Sequence, residues 1–306
     1  VNAGLMSLSQ AIGVIMGANI GTTITAQMVS FKLDTIAPIF IGAGAILILV
    51  AKKKKVKDVA YIALGFGILF LGMGTMSGAL KPIAETPAFG EFIIVVGNNA
   101  ILGLLTGLIM TAIVQSSSAT TGILVALATT GAIDMRLAFP VILGCNIGTC
   151  VTALISSLGT TNAAKKAALI HFFFNVIGAL IFLIPPIRGL LQTLVTSITP
   201  GAGGEEVARQ IANSHTIFNV TNTILLLPFT KYLVALVNRL LPEDESEELP
   251  KVKFIDDRLL ETPSIAFGQS TNEVVRMGNL AKKNLQYALD GFMNGNSDLI
   301  DKVYKN

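Results

Sequence analysis

The sequence predicts an all-α polytopic membrane protein: inverted repeats with a re-entrant hairpin and broken helices, followed by a cytoplasmic helical segment. Three observations lead there. First, 52% of the 306 residues are hydrophobic before the 29 glycines are counted, against 22 Lys and Arg and 19 Asp and Glu. A soluble domain of this size could not coat its surface with so few charges. Second, residues 243–306 hold 12 of the acids and 8 of the bases, so the charge-poor part is residues 1–242. Third, a ten-residue stretch occurs twice. The net charge of +3 is a small difference, and no basic face interleaved with aromatics exists. These features exclude an ordinary cytosolic enzyme and a nucleic-acid binder.

Uncharged tracts cover residues 1–31, 92–133 and 137–164, each longer than the roughly 20 residues that cross about 30 Å of hydrocarbon. Residues 33–51, 58–76 and 167–185 are further spans, as is 217–236 despite Pro228 and Lys231. Val1 opens directly into apolar sequence with no basic n-region, so no signal peptide is read. The missing initiator Met leads to the expectation of a chain cut at its start. Short-loop Lys and Arg place Lys52-Lys53-Lys54-Lys55-Val56-Lys57, Lys165-Lys166 and the tail after Arg239 on the cytoplasmic side. The tract 92–133 must then start and finish outside. With Gln115-Ser116-Ser117-Ser118 near its middle, it reads as a re-entrant hairpin whose polar tip lines a protein cavity, because lipid cannot satisfy such a tip.

Gly17-Ala18-Asn19-Ile20-Gly21-Thr22-Thr23-Ile24-Thr25-Ala26 recurs as Gly144-Cys145-Asn146-Ile147-Gly148-Thr149-Cys150-Val151-Thr152-Ala153, with seven of ten positions identical at an offset of 127. At that offset Gly4 meets Gly131, Ala11 meets Ala138, and Val14-Ile15 meets Val141-Ile142. The loop rule sends the first copy outward and the second inward, the inverted architecture of a secondary transporter with a site near the midplane. Polar, Gly-interrupted sequence in a span predicts broken helices that coordinate ions. Close packing through small residues is the plainer reading, disfavoured because packing does not require the same Asn and two Thr twice. Carried backwards, the offset puts a partner for Gln115 just ahead of Val1, so a first hairpin is expected to be missing.

At these residues the chain resembles the sodium–phosphate cotransporter family, type II and its bacterial relatives, whose hallmark is two Gln-Ser-Ser-Ser motifs in inverted repeats. TAIVQSSSATT, residues 111–121, looks like the second. The resemblance implies that Gln115, Ser116, Ser117 and Ser118 contact phosphate or sodium, with Asn146, Thr149, Asn19 and Thr22 near the same centre and Thr152 and Thr25 beside them. Sodium is expected near Gln115, Ser118, Asn146 and Asn19. The departure is the absent first motif. The implied partners are inorganic phosphate, sodium ions and the lipid bilayer of the cell membrane, with the C-terminus cytoplasmic. No cofactor other than sodium as coupling ion is implied, and a homodimer is left open.

The residue types fit that chemistry. Hydroxyls from the three serines, Thr120 and Thr121, a primary amide and helix N-termini can replace the hydration of an oxyanion without permanent charge. No Lys or Arg lies in residues 92–133 or in either repeat copy, and a buried divalent anion without counter-charge is strongly unfavourable. The positive charge must therefore travel with the substrate, which gives a reason for sodium coupling. Neutral donors do not identify the oxyanion, so a carrier of another small oxyanion or a carboxylate is the alternative.

The domains are read as 1–241 for the transporter, 242–261 for an acidic linker and 262–306 for the truncated start of a helical domain similar to the phosphate-uptake regulator (PhoU-like). Val274, Met277, Ala281, Leu285 and Leu289 form an apolar stripe that needs a partner helix, and only residues 298–304 remain to supply one. His171 and His215 share the spacing His-x-x-Phe-Asn-Val. Bridging between membrane helices is favoured for them over proton sensing. Cys145 and Cys150 fit small-residue packing rather than a disulfide or zinc site. An intramembrane hydrolase with a serine of 116–118 as nucleophile lacks both a Gly-x-Ser-x-Gly elbow and an acid to orient the histidine. A phosphate sensor acting through the tail is the remaining rival.

Overall fold

The computed structural model describes residues 6–31, 33–242, 254–255 and 262–305, and among them every regular element is helical. Gly4 and most of the acidic linker lie outside the described residues. Five described helical stretches are long and apolar enough to cross a membrane, or six with one pair bent by 117°. Large apolar side chains face outward along them, among them Ile24, Ile62, Ile113 and Leu180.

The two copies of the repeat lie in matching helices. Helix α1 (Leu8–Val29) is capped by the Ser7 hydroxyl in a reciprocal box with Gln10, and α7 (Met135–Ser157) is capped by the Asp134 carboxylate. Ser7 and Asp134 are themselves 127 positions apart, so the cap signal repeats with the motif. Helix α8 (Asn162–Leu183) follows α7 after a short turn and returns beside it, with Cys150 Sγ 3.3 Å from Asn175 Nδ2. Helix α10 (Gly204–Leu226) is antiparallel to α8: Asn222 sits on Phe174, and Phe218 stacks edge-on against Phe182 at 5.0 Å. Helix α1 is antiparallel to α10, because Arg209 bonds Ser30 at 3.2 Å while Leu226 packs with Ile12 and Met16. Three reversals lead from α7 to α1, so the copies run in opposite directions.

The hairpin is built from α5 (Ala100–Val114) and α6 (Ser117–Thr129). Helix α5 runs alongside α7 in the same direction: Gly103 faces Pro140, Gly107 faces Val141, and Gly148 faces Leu108 and Thr111. Gly103 and Gly107 on one helix and Gly144 and Gly148 on the other bring the backbones into direct contact, as small residues four apart do in membranes. The chain reverses at Gln115, and α6 returns to the end where α7 begins. There the carbonyls of Ala128 and Thr129 meet Gly204. At about 1.5 Å per residue, the 15 residues of α5 and the 13 of α6 are shorter than the 23 of α7, so the turn lies within the bundle. The short α4 (Pro87–Gly97) is the other half of the bent pair and lies ahead of α5.

Helices α2 (Ala37–Val50) and α3 (Lys54–Ala84) form an antiparallel pair in which Gly44 meets Ala60 and Leu64, and Gly67 meets Ala37 and Ile41. The span expected at 33–51 is a 3-10 turn, Leu33–Ile36, followed by the 14-residue α2.

One expectation needs correction. The Gly-x-Asn-Ile-Gly-Thr copies do not break their helices, since both lie inside continuous α-helix. Their polar side chains bond back to their own helix instead: Asn19 to Ile15 O at 2.9 Å, Thr22 to Asn19 O at 2.9 Å, Asn146 to Ile142 O at 3.0 Å and Thr149 to Cys145 O at 3.0 Å. The glycines of α7 serve close packing, the reading that the sequence disfavoured. The span expected at 217–236 falls within one helical stretch, Gly204–Leu240, that is long and apolar enough to cross a membrane. Pro228 lacks the N–H a helix needs, and the stretch passes from α10 through a 3-10 segment, Leu227–Phe229, into α11 (Thr230–Leu240). It begins at Gly204, ahead of the expected start, with Glu205 and Glu206 in the first turn of α10. Helix α9 (Pro185–Ile198) links α8 to α10.

The tail forms α12 (Pro263–Asn294) and α13 (Ser297–Lys305), joined through Gly295 at φ +62°. Glu273 is buried, pairs with Arg276 at 2.6 Å and accepts from Phe254 N–H at 2.8 Å. The stripe expected to need a partner stays outward: Val274, Met277, Leu285 and Leu289 are all more than half exposed. Ile300 of α13 packs at Gly291 instead.

Candidate functional site

The antiparallel copies meet the hairpin tip around a cavity of about 60 Å³. It is lined by Asn19 and Thr22 from α1, Asn146 and Thr149 from α7, Ser117 from the start of α6, and Ala18 and His171. A buried water needs about 10–15 Å³ by this kind of measure, so the space takes a few waters or a small ion.

The two copies contribute the same atoms. Both asparagine amides spend their nitrogen on a carbonyl one turn earlier, and both threonine hydroxyls bond back to their own helix. The amide oxygens are then the acceptors left over. From the tip, Ser117 is buried at the first turn of α6, where the aligned peptide dipoles carry partial positive charge. No Asp, Glu, Lys or Arg lines the cavity.

Gln115 shapes the tip. It has φ +56°, and among the described non-glycine residues no other has positive φ. Its N–H bonds Thr111 O at 2.7 Å, closing α5. Ser116 caps α6 through Ala119 N at 3.2 Å, and Thr120 Oγ1 returns to Ser116 O at 3.1 Å.

Of the residues expected at the site, the cavity thus gathers Asn19, Thr22, Ser117, Asn146 and Thr149. Gln115, Ser116, Ser118, Thr120, Thr121, Thr25 and Thr152 are not among its lining residues. Gln115 and Thr152 are exposed, while Thr120 and Thr121 are buried behind the tip. His171, favoured as a bridging residue over a proton sensor, lines the cavity beside Ser117. Its position one helix away from the motifs gave no spacing signal. Of a buried polar row on α10, with Gln210, Ser214, His215, Asn219 and Asn222, only His215 and Asn219 stood out in the sequence, through His-x-x-Phe-Asn-Val; the others were missed.

At the opposite end of α1, Gln27 Nε2 donates to Asn213 and Thr216 at 3.1 and 2.9 Å, and the Arg209 guanidinium lies 3.5 Å over the Phe31 ring. The Arg209–Phe31 contact borders an open crevice of about 400 Å³ that also takes in Thr129, Thr199, Glu205 and Glu206.

The profile of the Na+/Pi-cotransporter family matches residues 1–78 and 75–196 of the chain. The chain belongs to the Na+/Pi-cotransporter family. The two matched blocks each hold one copy of the repeat, and the family is one of membrane transporters, not of enzymes. Among relatives, YqeW of Bacillus subtilis, named as uncharacterized, is 31% identical over 242 residues, 79% of this chain and 76% of its own. YjbB of Escherichia coli, named for inorganic phosphate export, is 24% identical over 292 residues, 95% of this chain and 52% of its own. The mouse sodium-dependent phosphate transport protein 2C is 44% identical over 92 residues, 28% of this chain and 15% of its own. The chain therefore spans about half the length of the export protein it matches. No solved structure matches it.

Proposed function

We propose that this chain moves inorganic phosphate across the cell membrane together with sodium. The observation that carries the reading is the cavity where Asn19 and Thr22 of one copy face Asn146 and Thr149 of the other at the Ser117 tip, with no fixed charge in the lining. An uncompensated ion at the membrane centre costs at least about 2.5–3.5 kcal/mol on the mildest scale. A divalent anion entering such a cavity needs cations with it, and amide oxygens are ligands for a hard cation.

In this reading the α5–α6 hairpin is re-entrant. The Lys52–Lys57 turn, Lys165 and the tail are cytoplasmic, and Ser116, Ser118, Thr120, Thr121 and Gln115 join the site as the tip moves. The tail, read from its resemblance alone, begins a helical regulatory domain of PhoU-like type. The name of that relative favours efflux as the direction of net flux. A carrier of another small oxyanion is the second reading, favoured by the absence of any cationic side chain that would select phosphate by charge.

The test is radiolabelled phosphate flux in liposomes holding the full-length protein, with sodium or choline on the side of entry. Flux that requires sodium, competed by arsenate but not by sulfate, supports the assignment. Equal flux in choline removes sodium coupling from it.

A further inference from the structure

The open crevice and the enclosed cavity share two walls. Ser30 and Thr129 in the crevice belong to α1 and α6, the helices that bring Asn19, Thr22 and Ser117 to the cavity. Ser30 lies eight residues beyond Thr22, which is about 12 Å along an α-helix. The crevice carries both signs of charge, with Glu205, Glu206 and Arg209 in its walls.

Between the two, the seam of α1 against α10 is polar. Asn19, Thr23, Gln27 and Ser30 follow one another at steps of three or four residues and so share a face of α1. Arg209, Asn213 and Thr216 do the same on α10. Where these faces meet, Gln27 Nε2 donates to both Asn213 Oδ1 and Thr216 Oγ1. One turn outward, Arg209 donates to Ser30 Oγ and lies over the Phe31 ring. Asn213 is itself held in place, donating from Nδ2 to Thr199 Oγ1 at 2.9 Å. The other end of α1 is dry: Ile12 and Met16 pack with Leu226 and Phe174.

The two ends differ in what it takes to part them. Side-chain hydrogen bonds beside an open crevice can be exchanged for bonds to water at little net cost, whereas dry packing is lost outright. We propose that phosphate and sodium pass between crevice and cavity along this seam, and that Gln27 and Arg209 are its gate, closed in this structure and opened when α1 swings from α10 about its apolar end. The proposal rests on the transport reading above. Arg209 faces the open crevice, so its release crosses little of the membrane field.

Two measurements on the full-length protein test the gate. In liposomes, Gln27→Cys with Asn213→Cys, bridged by a short bifunctional thiol reagent, should stop phosphate flux. Reductant should restore it, which shows that the bridged chain was folded, and each single substitution treated alike should keep its flux. In intact cells, a charged, membrane-impermeant thiol reagent reports on Ala18→Cys in the cavity lining. Adding Gln27→Ala and Arg209→Ala should speed that labelling roughly tenfold, the shift expected when two or three hydrogen bonds are lost from the closed form alone.

A bridged chain that transports at the unbridged rate, or labelling of Ala18→Cys that the two alanines leave unchanged, overturns the gate. Absence of phosphate flux in the wild type overturns the transport reading instead, and the labelling arm then still decides whether the seam opens.

Discussion

Gln115 holds a conformation that glycine would hold at no cost. For an L-residue the left-handed region costs about 1–2 kcal/mol, and a helix ending this way usually does so with glycine. A residue kept under strain at the tip of a hairpin points to a role for its side chain. Gln115→Gly is therefore expected to raise stability by about 1 kcal/mol, read as a higher melting temperature in detergent, while phosphate flux drops. Unchanged flux would remove the amide from the mechanism. Ser117 and Ser118 make the complementary case. Their hydroxyls lie at the first turn of α6, Ser117 in the cavity itself, so Ser117→Ala with Ser118→Ala should abolish sodium-driven flux without loss of the protein from the membrane. Normal flux in that double variant would refute the tip assignment. The tip was legible from Gln-Ser-Ser-Ser in an otherwise apolar tract. Its inner geometry was not, because a motif does not tell which hydroxyl caps a helix and which faces a ligand.

At the scale of elements, α1 and α7 share a sequence, but only α7 has α5 seated against its glycines. Gly144 and Gly148 press on the backbone of α5 at Leu104 and Leu108, whereas the corresponding Gly17 and Gly21 have nothing within 4 Å of the place a Cβ would occupy. Gly144→Ala should thus cost about 1–3 kcal/mol through overpacking, and more if α5 cannot yield, measured as loss of thermal stability. In the described residues Gly17→Ala meets open space. A first hairpin seated on α1 as α5 is seated on α7 would make Gly17→Leu as damaging as Gly144→Leu in the full-length protein. A harmless Gly17→Leu would count against such a hairpin. The glycines also explain why broken helices were expected: Gly-x-Asn-Ile-Gly-Thr reads alike whether it opens the backbone or lets two helices touch. Only the neighbour decides. Pro228 left the span expected at 217–236 in place but divided it into the end of α10, a 3-10 segment and α11, a detail hidden by a hydropathy window that averages over the proline.

For the whole molecule, the offset of 127 was the most informative feature, because it reached the caps at Ser7 and Asp134 as well as the motif. Opposite directions for the two copies followed from loop charges in the sequence and from three helix reversals in the structure, two independent routes. Most of the buried polar row of α10 and the place of His171 were not legible, because each depends on contacts between segments far apart in the chain.

The uncharged lining has one more consequence. A helix bundle that carries no formal charge around its central chamber gives the electrical field nothing to grip when the chamber is empty, although a full charge moved through the field would exchange about 2.3 kcal/mol per 100 mV. The unloaded protein should therefore reorient indifferently to voltage, and current transients after a voltage step should disappear once sodium and phosphate are both withdrawn. Transients that survive in choline would mean that a charged side chain outside the chamber moves with each cycle.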